Sequence, residues 1–325
     1  MTFKVKHLGV SSGNVSIVVM DDEDAFAGGI NPGDRVKLSV LKADGTPNEL
    51  GIVAIADIAT NNSLIKRGEV GFYDETMHKL KLKKEGVEID IQLSSRPKSF
   101  DAIKKKIKGK ALTTQEIYDL IKDCTDGNLL PIEMAAFITA LEIRDASDQE
   151  IVDLTTSMAN SGEVLDFGPD VYDKHSTGGV PGNKVTLIIV PIIAAAGLFI
   201  PKTSTRAITS PSGTADSMEV LAPVAFSKEK VIDILKNERV GILWGGALDL
   251  APADNALIHI EKPLNMDPFS LMIASIICKK MAMGVKKMVL DIPCGKGTKF
   301  STPEEGKKYA MRFKEISKRV GIETI

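Results

Sequence analysis

Between residues 170 and 292, short runs rich in β-branched residues alternate with longer apolar runs, and the junctions are built from glycine, hydroxyl and lysine residues. "DVYDK" (170–174) leads through "HSTGGVPGNK" to an apolar run near 184–196, where Gly197 is placed to stop a helix. "LFIPKTS" (198–204) leads through "TRAITSPSG" to a second helical run. "VGILWG" (240–245) follows, and a helix near 268–283 precedes "KKMVLDI" (286–292). Strands that alternate with helices predict a mainly parallel sheet covered by helices, because parallel neighbours need a crossover. Ligands of such sheets sit beyond the carboxyl ends of the strands, where both glycine-bearing loops fall.

The rest of the chain divides on the same kind of signal. In residues 1–93, "NVSIVV", "DRVKLSV", "LGIVAIA" and "VEIDIQL" are short, β-branched and separated by turn residues such as Asn31-Pro32-Gly33-Asp34, which suggests a small closed barrel. "DEDAFAGGINPGDRVKL" is similar to the repeated element of double-psi barrels. After "SSRPK" (94–98) the pattern is helical to about Phe167. Thr113 with Glu116 and Ser147 with Glu150 have capping-box spacing, Pro131 suits a first helical position, and Asp126-Gly127 stops a helix. Ile117, Leu120, Ile121 and Cys124 make one apolar face; Met134, Phe137, Ile138 and Leu141 make another. The expected fold is α/β, with an N-terminal small β-barrel-like domain (1–93), a helical domain (94–167) and a mainly parallel α/β sheet domain (168–325).

Composition narrows the function classes. Forty-one Lys and Arg against 43 Asp and Glu give a net charge of -2, so no global field favours nucleic acid or an anionic membrane. Anion binding must be local. Cys124, Cys278 and Cys294 are far apart, and the four histidines lack metal-ligand spacing, so no metal site is expected. The most lipid-like stretch, Val185 to Ile200, is shorter than the ~20 residues a spanning helix needs. Met1 to Val19 alternates polar and apolar residues rather than forming the apolar core of a secretory signal, so a cytoplasmic protein is expected.

Four stretches carry the chemistry. In "KHSTGGVPGNK", Gly178, Gly179 and Gly182 permit close backbone approach, Ser176 and Thr177 bring hydroxyls, and Lys174 and Lys184 bring charge ahead of a helix. A phosphate fits this inventory; a flexible charged turn is the alternative. From Thr203 to Thr214 there are seven hydroxyl side chains and one arginine, Arg206, able to meet phosphate oxygens in bidentate fashion. A helix cap would need one hydroxyl, not seven. In "NMDPFSLMIASIICKKMAMG", Ser275 and Lys279 share a helix face, and Asp267 is either an N-cap or a carboxyl group that exchanges a proton with substrate. Residue pattern alone leaves those two readings balanced, as it does for Lys279 as a solvent-seeking lysine or a site residue. "DIPCGKGTKF" adds Lys296 and Lys299 on a glycine turn after a strand.

Together, "DKHSTGG", "STRAITSPSGTADSMEVL", "LAPAD", "MDPFSLMIASIICKK" and "VLDIPCGKGT" resemble the thymidine phosphorylase family of nucleoside phosphorylases, in particular its archaeal AMP phosphorylase branch. The resemblance runs from about residue 94 to residue 300. It implies phosphorolysis, with inorganic phosphate as co-substrate, no further cofactor, and AMP converted to adenine and ribose 1,5-bisphosphate; CMP and UMP are candidate further substrates. It implies that Lys174, Ser176, Thr186 and Ser204 hold phosphate, and that Gly179, Thr205, Arg206, Ala207, Ile208, Thr209, Ser210, Thr214, Ser275 and Lys299 surround the nucleotide, with Thr214 touching both ligands. Asp267 would be the acid that protonates the leaving base, a role that burial beside Pro268 and Phe269 would favour by raising its pKa. The barrel-like segment resembles one that supports subunit assembly in that branch, so a homo-oligomer, at least a dimer, is expected.

Two departures from the pyrimidine enzymes, at Ile260 and at "TSPSGT", favour a substrate other than thymidine. Ile260 stands where they carry a base-reading arginine. "TSPSGT" replaces a glycine-rich loop, and Pro181 is an extra residue in the first loop. Family members usually continue well beyond the last motif, so the α/β domain is expected to be incomplete at its C-terminal end. A pyrimidine nucleoside phosphorylase and a nucleotide-binding module without catalysis are the alternatives.

Overall fold

Period-two alternation near the N-terminus becomes strand β1 (Thr2–His7), followed by β2 (Ile17–Asp21), helix α1 (Asp22–Ala27), β3 (Arg35–Leu41), β4 (Pro47–Ala59), β5 (Glu69–Phe72), α2 (Asp74–Lys79) and β6 (Glu88–Leu93). The six strands close a barrel in the order β1-β5-β2-β4-β3-β6, with β6 returning to pair with β1. Alternate residues such as Val18, Met20, Val36, Leu38, Phe72, Ile89 and Ile91 fill its interior. In the turn before β3, Gly33 takes a φ of 87° and its N–H reaches the Ala56 carbonyl at 2.8 Å. The structure, a computed structural model, describes residues 1–13, 15–42, 44–61, 63–178, 180, 184–207, 212–248 and 250–325. It separates into two compact units: Met1–Phe100 with Asp126–Glu133, and Asp101–Thr125 with Met134–Ile325. The short stretch 126–133 joins the first unit through Glu133, which accepts from Arg35 at 2.9 Å and pairs with Arg96 at 3.2 Å.

The second unit holds the sheet. Helices α3 (Phe100–Ile107), α4 (Thr114–Thr125), α5 (Pro131–Arg144) and α6 (Asp148–Ala159) come first. Both predicted capping boxes form. Thr113 N–H donates to Glu116 at 2.7 Å and Ser147 N–H to Glu150 at 2.8 Å, each answered by the reverse bond. Pro131 starts α5, and the two predicted apolar faces are buried. Then β7 (Tyr172–Ser176), α7 (Val185–Ala195), β8 (Ile200–Ser204), α8 (Thr214–Glu219), α9 (Lys228–Glu238), β9 (Val240–Trp244), α10 (Pro252–Leu264), α11 (Phe269–Ala282), β10 (Lys287–Asp291), α12 (Pro303–Arg319) and β11 (Glu323–Thr324) alternate.

All strand pairs in this unit are parallel. β11, β10 and β7 form one piece and β8 with β9 another, and a parallel bridge between Val171 and Phe199 links them into the sequence β11-β10-β7-β8-β9. The strands therefore end along one edge, at Ser176, Ser204, Trp244 and Asp291. Helix α11 is buried along most of its length and packs on α6, while α10 packs on α4 and α6. This fixes α10 and α11 beside the strand ends. Among the described residues no helix is long and apolar enough to cross a membrane.

Candidate active site

A cavity of about 510 Å³ opens at that edge of the sheet, a size suited to a small-molecule ligand. Its floor comes from the strand ends and the loops after them: Ser176, Thr177 and Gly178 beyond β7, and Lys202, Ser204 and Thr205 at the end of β8. Thr186 in the first turn of α7 and Thr214 in the first turn of α8 add hydroxyls. The opposite wall is helical. Ile258, Glu261, Lys262 and Asn265 face it from α10 and its C-terminal cap at i, i+3, i+4 and i+7 spacing, and Met272, Ser275, Ile276 and Lys279 face it from α11.

Of the residues expected to hold phosphate, Ser176, Thr186 and Ser204 line the cavity and Lys174 does not. Lys174 and Ser176 project from the same face of β7, and Asp291 lies on that face one diagonal step along β10. The Lys174 ammonium is drawn to Asp291 at 3.0 Å. The Ser204 hydroxyl donates to the Leu243 carbonyl at 3.0 Å, tying β8 to β9. Of the residues expected around the nucleotide, Thr205, Arg206, Thr214, Ser275 and Lys299 line the cavity and Ala207 does not. Gly179, Ile208, Thr209 and Ser210 lie outside the described residues, as does Pro181.

Arg206 keeps its place but has its fork engaged. It donates to Glu219 at 2.6 and 2.9 Å and to Asp216 at 3.0 Å, and its guanidinium stacks 4.5 Å from the Trp244 ring centroid. The hydrogen bonds it donates to Glu219 and Asp216 hold its pKa above the usual arginine range. Asp216 also accepts from the backbone N–H groups of Ala207 at 2.8 Å and Gly213 at 2.9 Å, which closes the loop ahead of α8. Gly213 is required there, since a Cβ would lie 2.3 Å from the Thr205 carbonyl oxygen.

Helix α11 resolves two open readings. Pro268, not Asp267, occupies its cap position, and Asp267 pairs with Lys299, which also lines the cavity. The burial expected around Asp267 is absent: its side chain is 41% exposed and Phe269 is 46% exposed. Phe269 meets the buried rings of Phe300 and Tyr309 in tilted contacts at centroid distances of 5.5 and 5.4 Å. Lys279 does not seek solvent. It donates to Asp254 at 2.5 Å and to Ser275 at 2.7 Å, and although burial opposes its charge, Asp254 keeps its pKa above the ordinary lysine value.

Three groups that sequence reasoning did not assign complete the site. Lys202 is buried in β8, donates to the Thr203 carbonyl at 2.5 Å and lies 3.7 Å from Asp173, which also meets Lys280 at 2.5 Å. Burial, reinforced by Lys280, pushes Lys202 down to about 7 against the opposing pull of Asp173. Burial and the surrounding lysines hold His175 well below the usual histidine range. Glu261 is pushed up to about 8 by burial and by the charges of Asp267 and Asp254. A lysine directly after the apolar run "LFIP" and a glutamate three residues after Ile258 were the available signals. Buried polar atoms of His175 and Thr177, both lining the cavity, have no partner among the described residues.

The chemistry is that of an anion site with a partly apolar end. Hydroxyls, a helix N-terminus and excess ammonium charge gather at the sheet; Ile258, Met266, Met272 and Ile276 stand at the helical wall beside Glu261 and Asp267. Comparison with known proteins agrees in sequence and in fold. Residues 100–162 match the helical bundle domain of a glycosyl transferase family and residues 168–292 its a/b domain. AMP phosphorylase 1 of Archaeoglobus fulgidus is 42% identical over 99% of this chain and 62% of its own length. The AMP phosphorylases of Methanocaldococcus jannaschii and Thermococcus kodakarensis are 40% and 41% identical, again over 99% of this chain and over 61% and 62% of theirs. An anthranilate phosphoribosyltransferase from Thermus thermophilus shares the fold, with a TM-score of 0.57 at 22% identity, over 68% of this chain and 64% of that one. The chain belongs to this glycosyl transferase family. It spans about three fifths of the length of the curated AMP phosphorylases it matches.

Proposed function

We propose that this chain carries the catalytic site of a nucleotide phosphorylase that splits AMP with inorganic phosphate into adenine and ribose 1,5-bisphosphate. The observation that carries this reading is the joining, in one cavity, of hydroxyl-rich strand ends with surplus ammonium charge and an apolar wall bearing carboxyl groups. Phosphate rests among Ser176, Thr186, Ser204 and Lys202, with Lys174 available from the adjoining strand face if Asp291 releases it. The nucleotide spans Thr205, Arg206, Thr214, Ser275 and Lys299. A phosphate oxygen attacks C1′, the bond from C1′ to N9 breaks, and its electron pair stays on adenine, which takes a proton at N7.

Asp267 is the proposed donor of that proton. Its carboxylate pairs with Lys299; a nucleotide that engages Lys299 frees the carboxyl group to take up and deliver a proton. Ser275 and Lys279 position the base and ribose from α11, with Asp254 orienting Lys279. Ile260 does not line the cavity, so the position that bears a base-reading arginine in the pyrimidine enzymes is empty of such a group, in keeping with a purine nucleotide. A homo-oligomer in the cytoplasm is the expected setting. The test is a panel of AMP, CMP, UMP, thymidine and uridine assayed for phosphate-dependent base release. Release from AMP is the expected result. A strong preference for thymidine would overturn it, and binding of AMP without turnover would reduce the chain to a nucleotide-binding module.

A further inference from the structure

Glu261 has no place in the mechanism above, yet it occupies the apolar end of the same cavity. It projects from α10 one turn after Ile258 into the cavity that Ser275 and Lys279 line from α11. The charged groups around it come from four elements: Asp254 from its own helix, Lys279 from α11, Asp267 from the loop before α11, and Lys299 from the turn after β10. Both of those lysines are already matched, Lys279 by Asp254 and Lys299 by Asp267. Glu261 is therefore a carboxyl group left over once the neighbouring charges are paired. Among the described residues its side chain has neither a hydrogen-bond nor an ion-pair partner.

We propose that Glu261 reads the base, binding the edge of adenine as a neutral carboxylic acid. A protonated carboxyl group presents one O–H donor beside one carbonyl acceptor. Adenine offers the complement twice, a ring nitrogen acceptor next to the 6-amino donor on either edge. An ionised carboxylate has acceptors only and meets the ring nitrogen with repulsion. Burial and the charges of Asp267 and Asp254 keep the proton on Glu261 up to about pH 8, and the apolar side chains of Ile258, Met266, Met272 and Ile276 suit a planar ring. A site built this way binds adenine strongly at neutral pH and loses it in alkali.

This assignment rests on the nucleotide reading, and adenine binding measured by calorimetry at pH 7 and pH 9 separates the two. With a proton required on a group that titrates near 8, wild-type affinity is expected to fall about tenfold between the two pH values. Glu261→Gln keeps a donor and an acceptor in the same shape; it is expected to bind a few-fold more weakly than wild type at pH 7 and with no such fall. Glu261→Ala is expected to lose about tenfold at pH 7, and far-ultraviolet circular dichroism checks that it is folded. Equal wild-type affinity at both pH values, or a tenfold fall that persists in Glu261→Gln, overturns the role of Glu261 and leaves the nucleotide reading standing. A wild type that binds neither adenine nor AMP at either pH overturns both.

Discussion

Lys202→Met is expected to stabilise the protein while weakening its hold on phosphate. In β8 the Lys202 ammonium is buried and shares Asp173 with Lys280, so one carboxylate answers two cations. An unfolded lysine holds its proton to its ordinary value of 10.5, whereas folding lowers Lys202 to about 7. The penalty is full below the folded value and vanishes above the unfolded one. At ~1.36 kcal/mol per pH unit, the gap from 10.5 to about 7 makes it about 4 kcal/mol at pH 7 and about 2 kcal/mol at pH 9. Methionine keeps the apolar stem and removes the charge, at a cost of about 1 kcal/mol for the lost bond to Thr203. The variant should therefore exceed wild type by about 3 kcal/mol at pH 7 and about 1 kcal/mol at pH 9. Urea unfolding followed through the fluorescence of Trp244, the single tryptophan, on the strand beside Lys202, measures this. Titrating groups remote from Lys202 cancel in the difference. Added phosphate should raise wild-type stability more than that of the variant. A variant less stable than wild type at pH 7, or an advantage that does not shrink towards pH 9, refutes the reasoning.

Other perturbations follow from single contacts. Asp267→Asn should leave AMP binding within a few-fold and reduce turnover by about 10²-fold or more; full turnover in a steady-state assay would exclude Asp267 as the acid. Gly213→Ala places a Cβ 2.3 Å from the Thr205 carbonyl and 2.6 Å from the Arg206 carbonyl carbon, both backbone atoms that cannot step aside. AMP affinity by calorimetry should drop by at least tenfold, with the fold retained. Glu150 is buried, accepts from Lys106 at 2.8 Å and from Leu112 N–H at 3.0 Å, and has its pKa lowered against the effect of burial by these bonds. Its contribution is present above its unfolded value and is lost as pH falls through the folded one, so thermal stability should fall on acidification in wild type. Glu150→Ala strands the Lys106 ammonium and should cost about 3 kcal/mol or more at pH 7.

What could be read from the sequence is local, and what could not is relational. Capping boxes at Thr113 and Ser147, the helix start at Pro131 and the stop at Gly197 involve partners within four residues, and all are present. The alternation after residue 170 gives parallel strands because each connection alone requires it. Strand β5 is only four residues long, too short for a periodic signal, yet β1 and β2 pair on either side of it. Charged side chains follow neither pattern. Lys174 belongs to a recognisable loop motif, but parallel register sets Asp291 diagonally beside it, 117 residues on. Asp267 has the spacing of a cap, but Lys299, 32 residues on, holds it. Arg206 shows where the boundary between the two kinds of information lies. Its partners, Asp216 and Glu219, are ten and thirteen residues away on the first turns of the next helix, close enough that the same stretch names all three. An arginine facing two carboxylates is matched in charge within its own stretch of sequence. Lys202, the cation proposed to meet phosphate, is short of counter-charge for a reason visible only in the fold, where β8 and α11 bring Lys202 and Lys280 to the one carboxylate of Asp173 on β7.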